Sequence, residues 1–257
     1  DYTKRGKDIM FPCYVQPKID GVRMMIKKID GKIECISRMG KKVSLEHIEN
    51  LYINRLNNGD ILDGEVFSHE LNFETIVGLF RKQKNKNVGL IEKLKFYVFD
   101  YITDSNEPFY KRYETMKNVA VDMIQTEWCE SEEIAKEKMH DFIKQGYEGL
   151  MLRNIEGFYK FNYRSKDLQK WKLFQDDEYV IVNSHEGKGE DESTVIFECK
   201  VNDLVFSVRP RGTHESRRQL WTDRTKYIGK KLTVRFQNLT EHGVPRFPVG
   251  ICVRDYE

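Results

Sequence analysis

The sequence predicts an α+β protein of two domains, in which antiparallel sheets with flanking helices precede a small β-barrel. Three observations lead to this fold class. Up to about residue 172, segments that alternate polar and apolar residues are interspersed with amphipathic segments, as in half-buried strands and helices. Beyond residue 176 the chain changes to short strands at regular intervals, with a single helix among them. Its 257 residues suffice for two such domains, which we expect at 1–174 and 175–257.

The elements of the first domain follow from the apolar pattern. Strands are expected at residues 10–15, 22–27, 32–37, 61–67, 93–102, 148–154 and 168–175. Helices are expected at residues 44–57, 73–83, 110–125 and 131–145. The last of these helices should begin behind Ser131, whose hydroxyl can accept from a free amide of the first turn, and should end at Gly146.

The second domain should contain five strands and one helix. The strands are expected at residues 178–184, 194–201, 204–210, 230–239 and 247–254. The helix should start behind Thr213 and lie between the third and fourth strands. Five short strands with an inserted helix are typical of a small barrel of the OB type.

Composition and charge narrow the possible functions. The net charge of +2 gives no overall attraction to nucleic acid, so a basic binding surface must be local. The 5 cysteines are scattered and show no CxxC spacing, which favours neither a disulfide framework nor a zinc site and suits a reducing compartment such as the cytoplasm. No apolar run approaches the roughly 20 residues that span a bilayer, so no membrane association is expected.

The tetrapeptide Lys-Ile-Asp-Gly occurs twice, at residues 18–21 and 28–31. The second copy lies between two predicted strands, and Asp-Gly there favours a type I′ hairpin turn, which needs positive φ at both central positions. Lys28 would then be a solvated residue at a strand end. The first copy differs in context, because a proline precedes it, an arginine follows at position 23, and further polar motifs come later in the chain.

A basic cluster marks the predicted barrel. Nine Lys or Arg residues and two Asp or Glu residues lie between positions 209 and 235, with aromatic residues among them. Such a cluster can form a track for a phosphate backbone, and it can equally be the solvated face of a helix. The candidates for DNA contact are Arg209, Arg211, Arg217, Arg218, Lys230 and Lys231.

Six short motifs in order carry a resemblance to a known family. They are "KIDGVR", "SRMGK", "LDGEVF", "FYVFDY", "EGLMLR" and "KWK", within a match that extends from "FPCYVQPKIDGVR" to "VPRFPVGICVRDYE". The sequence resembles the covalent nucleotidyltransferases, and among them the ATP-dependent DNA ligases, especially the minimal viral ones. The resemblance implies an adenylyltransferase domain followed by an OB-fold domain, and it implies that Lys18 takes AMP covalently.

The nucleophilic chemistry explains why cations are wanted beside this lysine. A free lysine has a pKa of about 10.4, so only about one molecule in a thousand carries the unprotonated amine near neutral pH. Burial and nearby cations lower that pKa. Lys170 and Lys172 should lie on one face of a predicted strand, where they could supply the cations and neutralise the α-phosphate of ATP. They could also be surface lysines that flank a core residue, Trp171.

The resemblance implies further nucleotide contacts. Arg38 resembles the arginine that contacts ribose and phosphate, and Glu65 resembles the carboxylate that holds the ribose, although it could also be a strand-edge residue. Phe99 resembles the ring that stacks on adenine, with Phe96 and Tyr97 near enough to exchange roles with it. The resemblance adds three contacts, Gln16 at the adenine edge and Ile19 and Arg23 beside the nucleotide.

The resemblance also implies a metal and a closing step. Glu148 resembles a carboxylate that organises Mg²⁺, an ion that needs few protein ligands when substrate phosphates contribute oxygens. Arg246 and Arg254 match arginines of the family's last motif, which helps to bring the barrel over bound ATP. The segment between Ser184 and Val195 is short, where some minimal viral ligases carry a long insertion that encircles DNA.

The expected function is the sealing of 5′-phosphate/3′-hydroxyl nicks in double-stranded DNA, with ATP and Mg²⁺ as cofactors. We expect a monomer in an intracellular compartment that holds DNA, with a clamp or another replication or repair protein as a possible partner. An mRNA-capping guanylyltransferase and an RNA ligase use the same lysine chemistry and stay as alternatives. A catalytically inactive nucleic-acid-binding OB module is a third alternative of a different class.

Overall fold

A computed structural model describes residues 1–82, 87–103, 106–240 and 242–254. The chain divides into two compact units, Asp1–Lys172 and Leu173–Glu257. Among the helices of the described residues, none is long and apolar enough to cross a membrane.

The first unit is built on two sheets. The six-stranded sheet has the order β4-β3-β2-β5-β6-β7 and the four-stranded sheet the order β10-β9-β1-β8. The strands are β1 (Cys13–Pro17), β2 (Val22–Ile29), β3 (Lys32–Ser37), β4 (Lys42–Val43), β5 (Ile61–Phe67), β6 (Lys95–Ile102), β7 (Asp122–Met123), β8 (Glu127–Cys129), β9 (Leu150–Arg153) and β10 (Leu168–Trp171). All their pairings are antiparallel except that of β6 with β7. This confirms the predicted fold class of antiparallel sheets with flanking helices.

Helices cover one face of each sheet because each presents an apolar stripe. They are α1 (Tyr2–Arg5), α2 (Glu46–Tyr52), α3 (Phe73–Arg81), α4 (Val88–Ile91), α5 (Phe109–Val119) and α6 (Glu132–Lys144). On the six-stranded sheet, Met24, Ile26 and Leu62 are fully buried in one cluster with Ile48 of α2 and Ile76 of α3. A second apolar cluster lies between the four-stranded sheet and α6.

Two helix ends match the sequence signals. The Ser131 side chain accepts a hydrogen bond from the amide of Ile134 at the start of α6, which confirms the predicted cap. Gly146, at φ +91°, follows the end of that helix, as predicted. The predicted helix at 73–83 forms over Phe73–Arg81, and its last position, Gln83, lies outside the described residues.

The predicted helix at 110–125 is wrong beyond its middle. Helix α5 ends at Val119, and the chain then adds β7 to the edge of the six-stranded sheet, with Tyr97 opposite Asp122. The amide of Ile124 donates to the carbonyl of Val98 at 2.9 Å. The open edge of β6 offers backbone partners that no helical pattern in the sequence reveals, so pairing with it overrides the local propensity.

The two copies of the tetrapeptide adopt different structures. At residues 28–31 a hairpin joins β2 to β3, with φ of +47° at Asp30 and +74° at Gly31, which confirms the predicted turn. The prediction that Lys28 is merely solvated is wrong. It is half-buried, and its ammonium donates to the carbonyls of Ile53 and Leu56 at 2.7 and 2.8 Å, where α2 leaves backbone acceptors free.

Residues 18–21 instead carry the chain from one sheet to the other, because β1 belongs to the four-stranded sheet and β2 to the six-stranded sheet. The amide of Lys18 donates to the carbonyl of Gly149 at 2.8 Å, and the amide of Glu148 donates to the carbonyl of Lys18 at 2.9 Å. A Cβ on Gly21 would lie 2.4 Å from the carbonyl oxygen of Val66, so only glycine permits this crossing to approach β5.

The second unit is a closed five-stranded barrel in the order β11-β12-β13-β15-β14. Its elements are β11 (Gln175–Glu186), β12 (Val195–Val201), β13 (Leu204–Pro210), α7 (His214–Thr222), β14 (Lys231–Phe236) and β15 (Val249–Val253). Inward side chains such as Ile181, Phe197 and Val208 are fully buried. The Thr213 side chain accepts from the amide of Ser216, and α7 lies between the third and fourth strands of the barrel, so the predicted barrel and its inserted helix are confirmed.

Two glycines of the first unit provide a stability test. A Cβ on Gly64 would lie 2.5 Å from the carbonyl oxygen of Tyr97 and 2.6 Å from the Phe96 ring, whereas one on Gly78, inside α3, would meet nothing within 4 Å. We expect Gly64→Ala to destabilise the protein by about 1–3 kcal/mol through overpacking. Gly78→Ala should leave it unchanged or stabilise it by up to about 1 kcal/mol, because alanine favours the helix. Chemical denaturation of both variants measures the difference, and equal effects would contradict this packing.

Candidate active site

Three charged side chains meet where the chain crosses between the sheets. Glu148 Oε2 forms ion pairs with the ammonium groups of Lys18 and of Lys172, the latter at 2.9 Å. The Glu148 and Lys172 side chains are only 7% and 6% exposed, whereas that of Lys18 is 25% exposed. The lysine that the sequence singles out therefore reaches solvent, and the other two groups lie behind it.

The charges of this cluster shift one another. Burial raises the pKa of Glu148, but the nearby ammonium groups, Lys18 first, outweigh it and hold that pKa below its usual value. The pKa of Lys172 is lowered by burial and by the neighbouring charge of Lys18. Two amines and one ionised carboxylate thus share a site that water reaches mainly on the Lys18 side.

A second carboxylate of the site behaves differently. Glu65 is half-buried on β5, opposite Arg23 on β2 and Tyr97 on β6. Burial raises its pKa to about 7, with the charge of Lys18 opposing that shift and the charge of Asp63 adding to it. Near neutral pH this carboxyl can therefore donate as well as accept a hydrogen bond.

Arg23 is held in a fixed orientation beside Glu65. Its Nε donates to Asp63 Oδ1 at 2.9 Å and its Nη2 pairs with Asp63 Oδ2 at 2.5 Å. The hydroxyl of Tyr159 donates to the same Oδ2 at 2.7 Å and lies 3.0 Å from Arg23 Nη2. The fork of the guanidinium is thus bound to a fully buried carboxylate, while the Arg23 side chain stays 42% exposed.

A buried charged network supports this pair, and the sequence reasoning missed it. Asp100, opposite Asp63 in the sheet, accepts from Arg112 Nε at 2.8 Å and from Arg153 Nη1. The Arg153 guanidinium also lies 4.1 Å from the centre of the Phe109 ring. The available signal was an aspartate inside each of two strands that are otherwise buried, "ILDGEVF" and "KLKFYVFDYI".

The structure separates the three aromatic candidates of β6. Phe96 is buried in the core, edge-on to the Tyr52 ring at 6.0 Å between centres. Tyr97 pairs with Glu65, and a register shift opposite Asp63 and Gly64 leaves Phe99 as an extra, half-buried residue of the strand. Phe99 and Tyr97 are therefore partly accessible to a ligand, whereas the buried Phe96 is not.

The other sequence candidates of this unit occupy varied positions. Gln16 is buried, and its side-chain amide donates to Thr126 Oγ1 at 2.9 Å. Ile19 is buried in the segment that joins β1 to β2. Arg38 is exposed in the turn after β3. Lys170 is exposed on β10, unlike the buried Lys172, so the two lysines of "KWK" do not share one environment.

The basic candidates of the second unit differ in accessibility. Arg211, Arg218 and Lys231 are exposed and Lys230 is half-buried. Arg209 is exposed but pairs through both Nε and Nη2 with Asp191, at 2.8 and 2.9 Å.

Arg217 was predicted to contact DNA, but the structure places it below the surface. It is buried and bonded to the same Asp191 and to Thr194, so its guanidinium cannot reach a phosphate. The two arginines, Arg209 and Arg217, lower the pKa of Asp191 to about 2.

The two tail arginines also lie in the second unit. Arg254 Nε donates to Glu178 Oε1 at 3.0 Å, and its amide donates to the carbonyl of Lys231. The Arg246 guanidinium lies 5.4 Å from the centre of the Phe247 ring. Residues 255–257, the end of the tail motif, lie outside the described residues.

Known protein families match most of the chain. The family model described as "ATP dependent DNA ligase domain" matches residues 4–172, and the one described as "DNA ligase OB-like domain" matches residues 186–254. The chain is 31% identical over 260 residues to the DNA ligase of African swine fever virus (isolate Tick/South Africa/Pretoriuskop Pr4/1996), a match that covers 90% of this chain and 61% of the viral protein. The chain thus spans less than two thirds of the length of that relative.

Solved structures show the same architecture. A structure of Chlorella virus DNA ligase-adenylate is 27% identical, with a TM-score of 0.53 over 98% of this chain and 95% of the other. A structure from an analysis of Lig E DNA ligases has a TM-score of 0.79 at 22% identity, over 96% of this chain and 94% of the other. The latter similarity concerns the fold alone.

The two carboxylates of the site should respond to pH with opposite signs. The raised pKa of Glu65 means that the folded state holds its proton more tightly than the unfolded state, so stability falls as pH rises from about 4.5 to 7. Glu65→Gln removes this effect, and its Tm relative to the unaltered protein should increase from pH 5 to pH 8. Thermal unfolding across that range provides the measurement.

Glu148→Gln is the matched comparison. The lowered pKa of Glu148 gives stability that is present above about pH 4.5 and is lost as pH falls further. This variant should therefore be less stable than the unaltered protein at pH 7, by a margin that shrinks only below about pH 5. Parallel pH profiles for the two variants would contradict the opposite shifts.

Proposed function

The chain belongs to the ATP-dependent DNA ligase family, and on that premise we propose that it seals 5′-phosphate/3′-hydroxyl nicks in double-stranded DNA through a covalent lysyl-AMP intermediate. The observation that supports this most is the cluster of Lys18, Glu148 and Lys172. One amine is accessible and a second is buried behind it, and a carboxylate joins them. We propose functional domains at 1–174 for adenylyl transfer and 175–257 for DNA binding.

In the first step of the proposed reaction, the unprotonated amine of Lys18 attacks the α-phosphorus of ATP. A nitrogen–phosphorus bond forms, the bond to the pyrophosphate oxygen breaks, and pyrophosphate leaves. The buried ammonium of Lys172 can offset charge on the α-phosphate as the step proceeds, and water is scarce there to screen it. Alignment and charge neutralisation should supply most of the rate.

In the later steps AMP moves to DNA and is then released. An oxygen of the 5′-phosphate attacks the phosphorus of lysyl-AMP and Lys18 leaves as the amine. The 3′-hydroxyl then attacks the activated 5′-phosphate and AMP leaves, which closes the phosphodiester. Glu65 would hold the ribose and Phe99 would stack on adenine, with Gln16, Ile19, Arg23, Arg38 and Lys170 as further proposed contacts.

We also propose Mg²⁺ as a cofactor. Within the part of the chain that the structure describes, no group of three or more His, Cys, Asp or Glu side chains is placed to hold a metal alone. Glu148 is a single buried carboxylate, which fits an ion that takes one or two carboxylates together with substrate phosphates. When bound, the ion would neutralise phosphate charge.

DNA would contact the exposed cations of the second unit. We propose contacts from the exposed Arg211, Arg218 and Lys231 and from the half-buried Lys230. Arg209 is less available because it pairs with Asp191, and the buried Arg217 is left out. Arg246 and Arg254 would act in the first step. We further propose a monomer that works where DNA is held inside the cell, with a clamp or repair protein as a partner.

The repeated tetrapeptide supplies a matched test of the nucleophile. Incubation with labelled ATP and Mg²⁺ should label the protein, and peptide mapping should place the AMP on Lys18. Lys18→Ala should abolish the adduct because the attacking nitrogen is lost. Lys28→Ala should keep the adduct and instead lower the stability by about 1–2 kcal/mol, since two carbonyls lose their donor.

Several outcomes would redirect this proposal. Labelling by GTP and not by ATP would favour a capping enzyme, and sealing of nicked RNA alone would favour an RNA ligase. An adduct that survives Lys18→Ala would contradict the assignment of the nucleophile. Failure of the unaltered protein to form any adduct would leave a nucleic-acid-binding module.

The basic surface of the second unit can be tested through its salt dependence. The double variant Arg211→Ala/Arg218→Ala removes two exposed cations. Its affinity for nicked duplex should fall, and the slope of log affinity against log salt should become shallower by about two, because each phosphate contact contributes about 0.9.

The matched control removes two exposed lysines from helices of the first unit, Lys111→Ala/Lys136→Ala, and changes the net charge equally. Its slope should stay the same. Equal changes in the two double variants would show that only the overall charge matters.

A further inference from the structure

The segment between β9 and β10 presents aromatic rings to solvent. We call residues 158–166 the aromatic loop. The side chains of Phe158, Phe161 and Tyr163 are 43%, 54% and 61% exposed. The loop also carries three cations, at positions 160, 164 and 166, all exposed, and contains no carboxylate. Aromatic rings left in water contribute little to the stability of the fold. Several such rings on a segment whose only charges are positive indicate a binding surface.

The aromatic loop is fastened at its base. The amide of Asn154 donates to the carbonyl of Asp167, and its side-chain amide donates to Asp167 Oδ1, both at 2.9 Å. Within the loop, the Tyr159 hydroxyl donates to the buried Asp63 at 2.7 Å. These bonds close the ends of the segment and tie it to the six-stranded sheet, so the rings are presented from an anchored base.

A tight turn at the tip of the aromatic loop lies between the two most exposed rings. Asn162 has a φ of +53°, in the left-handed region that asparagine tolerates better than most residues. Phe161 precedes this turn and Tyr163 follows it. The Lys160 ammonium lies 5.2 Å from the centre of the Tyr163 ring, so a cation already lies over one of the rings.

The anchor of the aromatic loop reaches the candidate active site. The same Tyr159 hydroxyl lies 3.0 Å from Arg23 Nη2, and Arg23 is the cross-strand partner of Glu65. The aromatic loop and Lys18 therefore lie in the same unit, and Tyr159 contacts Arg23, which lies beside Glu65 of the candidate site.

We propose that the aromatic loop is a stacking platform for unpaired bases of the DNA substrate, with Phe161 and Tyr163 as the stacking rings. Rings interleaved with cations are the recurring means of binding single strands, since every base has a face and every nucleotide a phosphate. An apolar protein partner would bury the three cations without counter-charges.

Bases inside an intact duplex are already stacked on both faces. A face becomes available at a nick, a gap or a frayed end, and this is where the platform acts. Its role in ligation depends on the proposed function, whereas its binding of single strands can be measured without ligation.

The test uses the full chain and a fluorescently labelled oligodeoxythymidine. The double variant Phe161→Leu/Tyr163→Leu keeps apolar side chains and removes the rings. Its affinity for the single strand should fall by at least about tenfold, given that stacking contributes about 1–3 kcal/mol per base and two rings are removed. Its affinity for intact duplex should change little, and the AMP adduct at Lys18 should form as in the unaltered protein.

Two controls distinguish stacking on these rings from charge attraction and from the effect of removing any exposed ring. Trp128→Leu removes another exposed ring, 48% accessible, that lies between Glu127 and Glu130, and it should leave the single-strand affinity unchanged. The triple variant Lys160→Gln/Arg164→Gln/Lys166→Gln should weaken binding and make the salt dependence shallower. The ring variant should weaken binding without changing the salt dependence.

Three results would overturn the platform. They are an unchanged single-strand affinity in the ring variant, an equal loss for intact duplex, and an equal loss in Trp128→Leu. A ring-dependent affinity in a protein that forms no AMP adduct would instead retain the platform and reject the ligase reaction.

Discussion

Two backbone hydrogen bonds, from Lys18 to Gly149 and from Glu148 to Lys18, determine the arrangement of the site. They continue the pairing of β1 with β9 for one residue past the end of β1, just before the chain leaves for the other sheet. Because backbone donors and acceptors buried at such a junction must be paired, the crossing has little freedom. The same two bonds bring the Lys18 amine and the Glu148 carboxylate together, so the position of the reactive lysine follows from sheet pairing.

A buried network of ion pairs connects the two sheets. Asp63 and Asp100 lie opposite each other in the six-stranded sheet, and Asp100 bonds Arg153 of the four-stranded sheet and Arg112 of α5. Removing one member of a buried ion pair typically costs about 3–5 kcal/mol, because the other charge is left without compensation. The aspartates of "LDGEVF" and "FYVFDY" thus serve the architecture, while Glu65 and Phe99 in the same motifs are half-buried and are proposed to contact the nucleotide. Each of these two motifs thus contains a buried aspartate that stabilises the fold and a half-buried residue that a ligand can contact.

The sequence predicted features that depend on adjacent residues. It did not predict features that depend on residues distant in the chain. The Asp30-Gly31 turn, the Ser131 cap and the alternating barrel strands could be predicted because each depends on a few adjacent residues. The end of α5, the buried Arg217 and the carbonyl contacts of Lys28 could not, since each depends on a partner distant in sequence. The two tetrapeptides show the limit most clearly, because identical residues form a hairpin in one place and a crossing between sheets in the other. Their structural difference comes from the contacts of the first copy with Val66 of β5 and with Gly149 just before β9.

The charges around Lys18 have a consequence for how a nucleotide would enter. Glu148 stays ionised because two ammonium groups face it, whereas burial raises the pKa of Glu65 to about 7. On the proposed function, a triphosphate would bring negative charge to Lys18 and Lys172, and both amines are already paired with Glu148. The phosphates and Glu148 would then compete for the same two amines. Each ammonium has three N–H donors and can bond Glu148 and a phosphate oxygen at the same time. On the proposed function, ATP binding and the orientation of the Lys18 amine would therefore be coupled through this carboxylate.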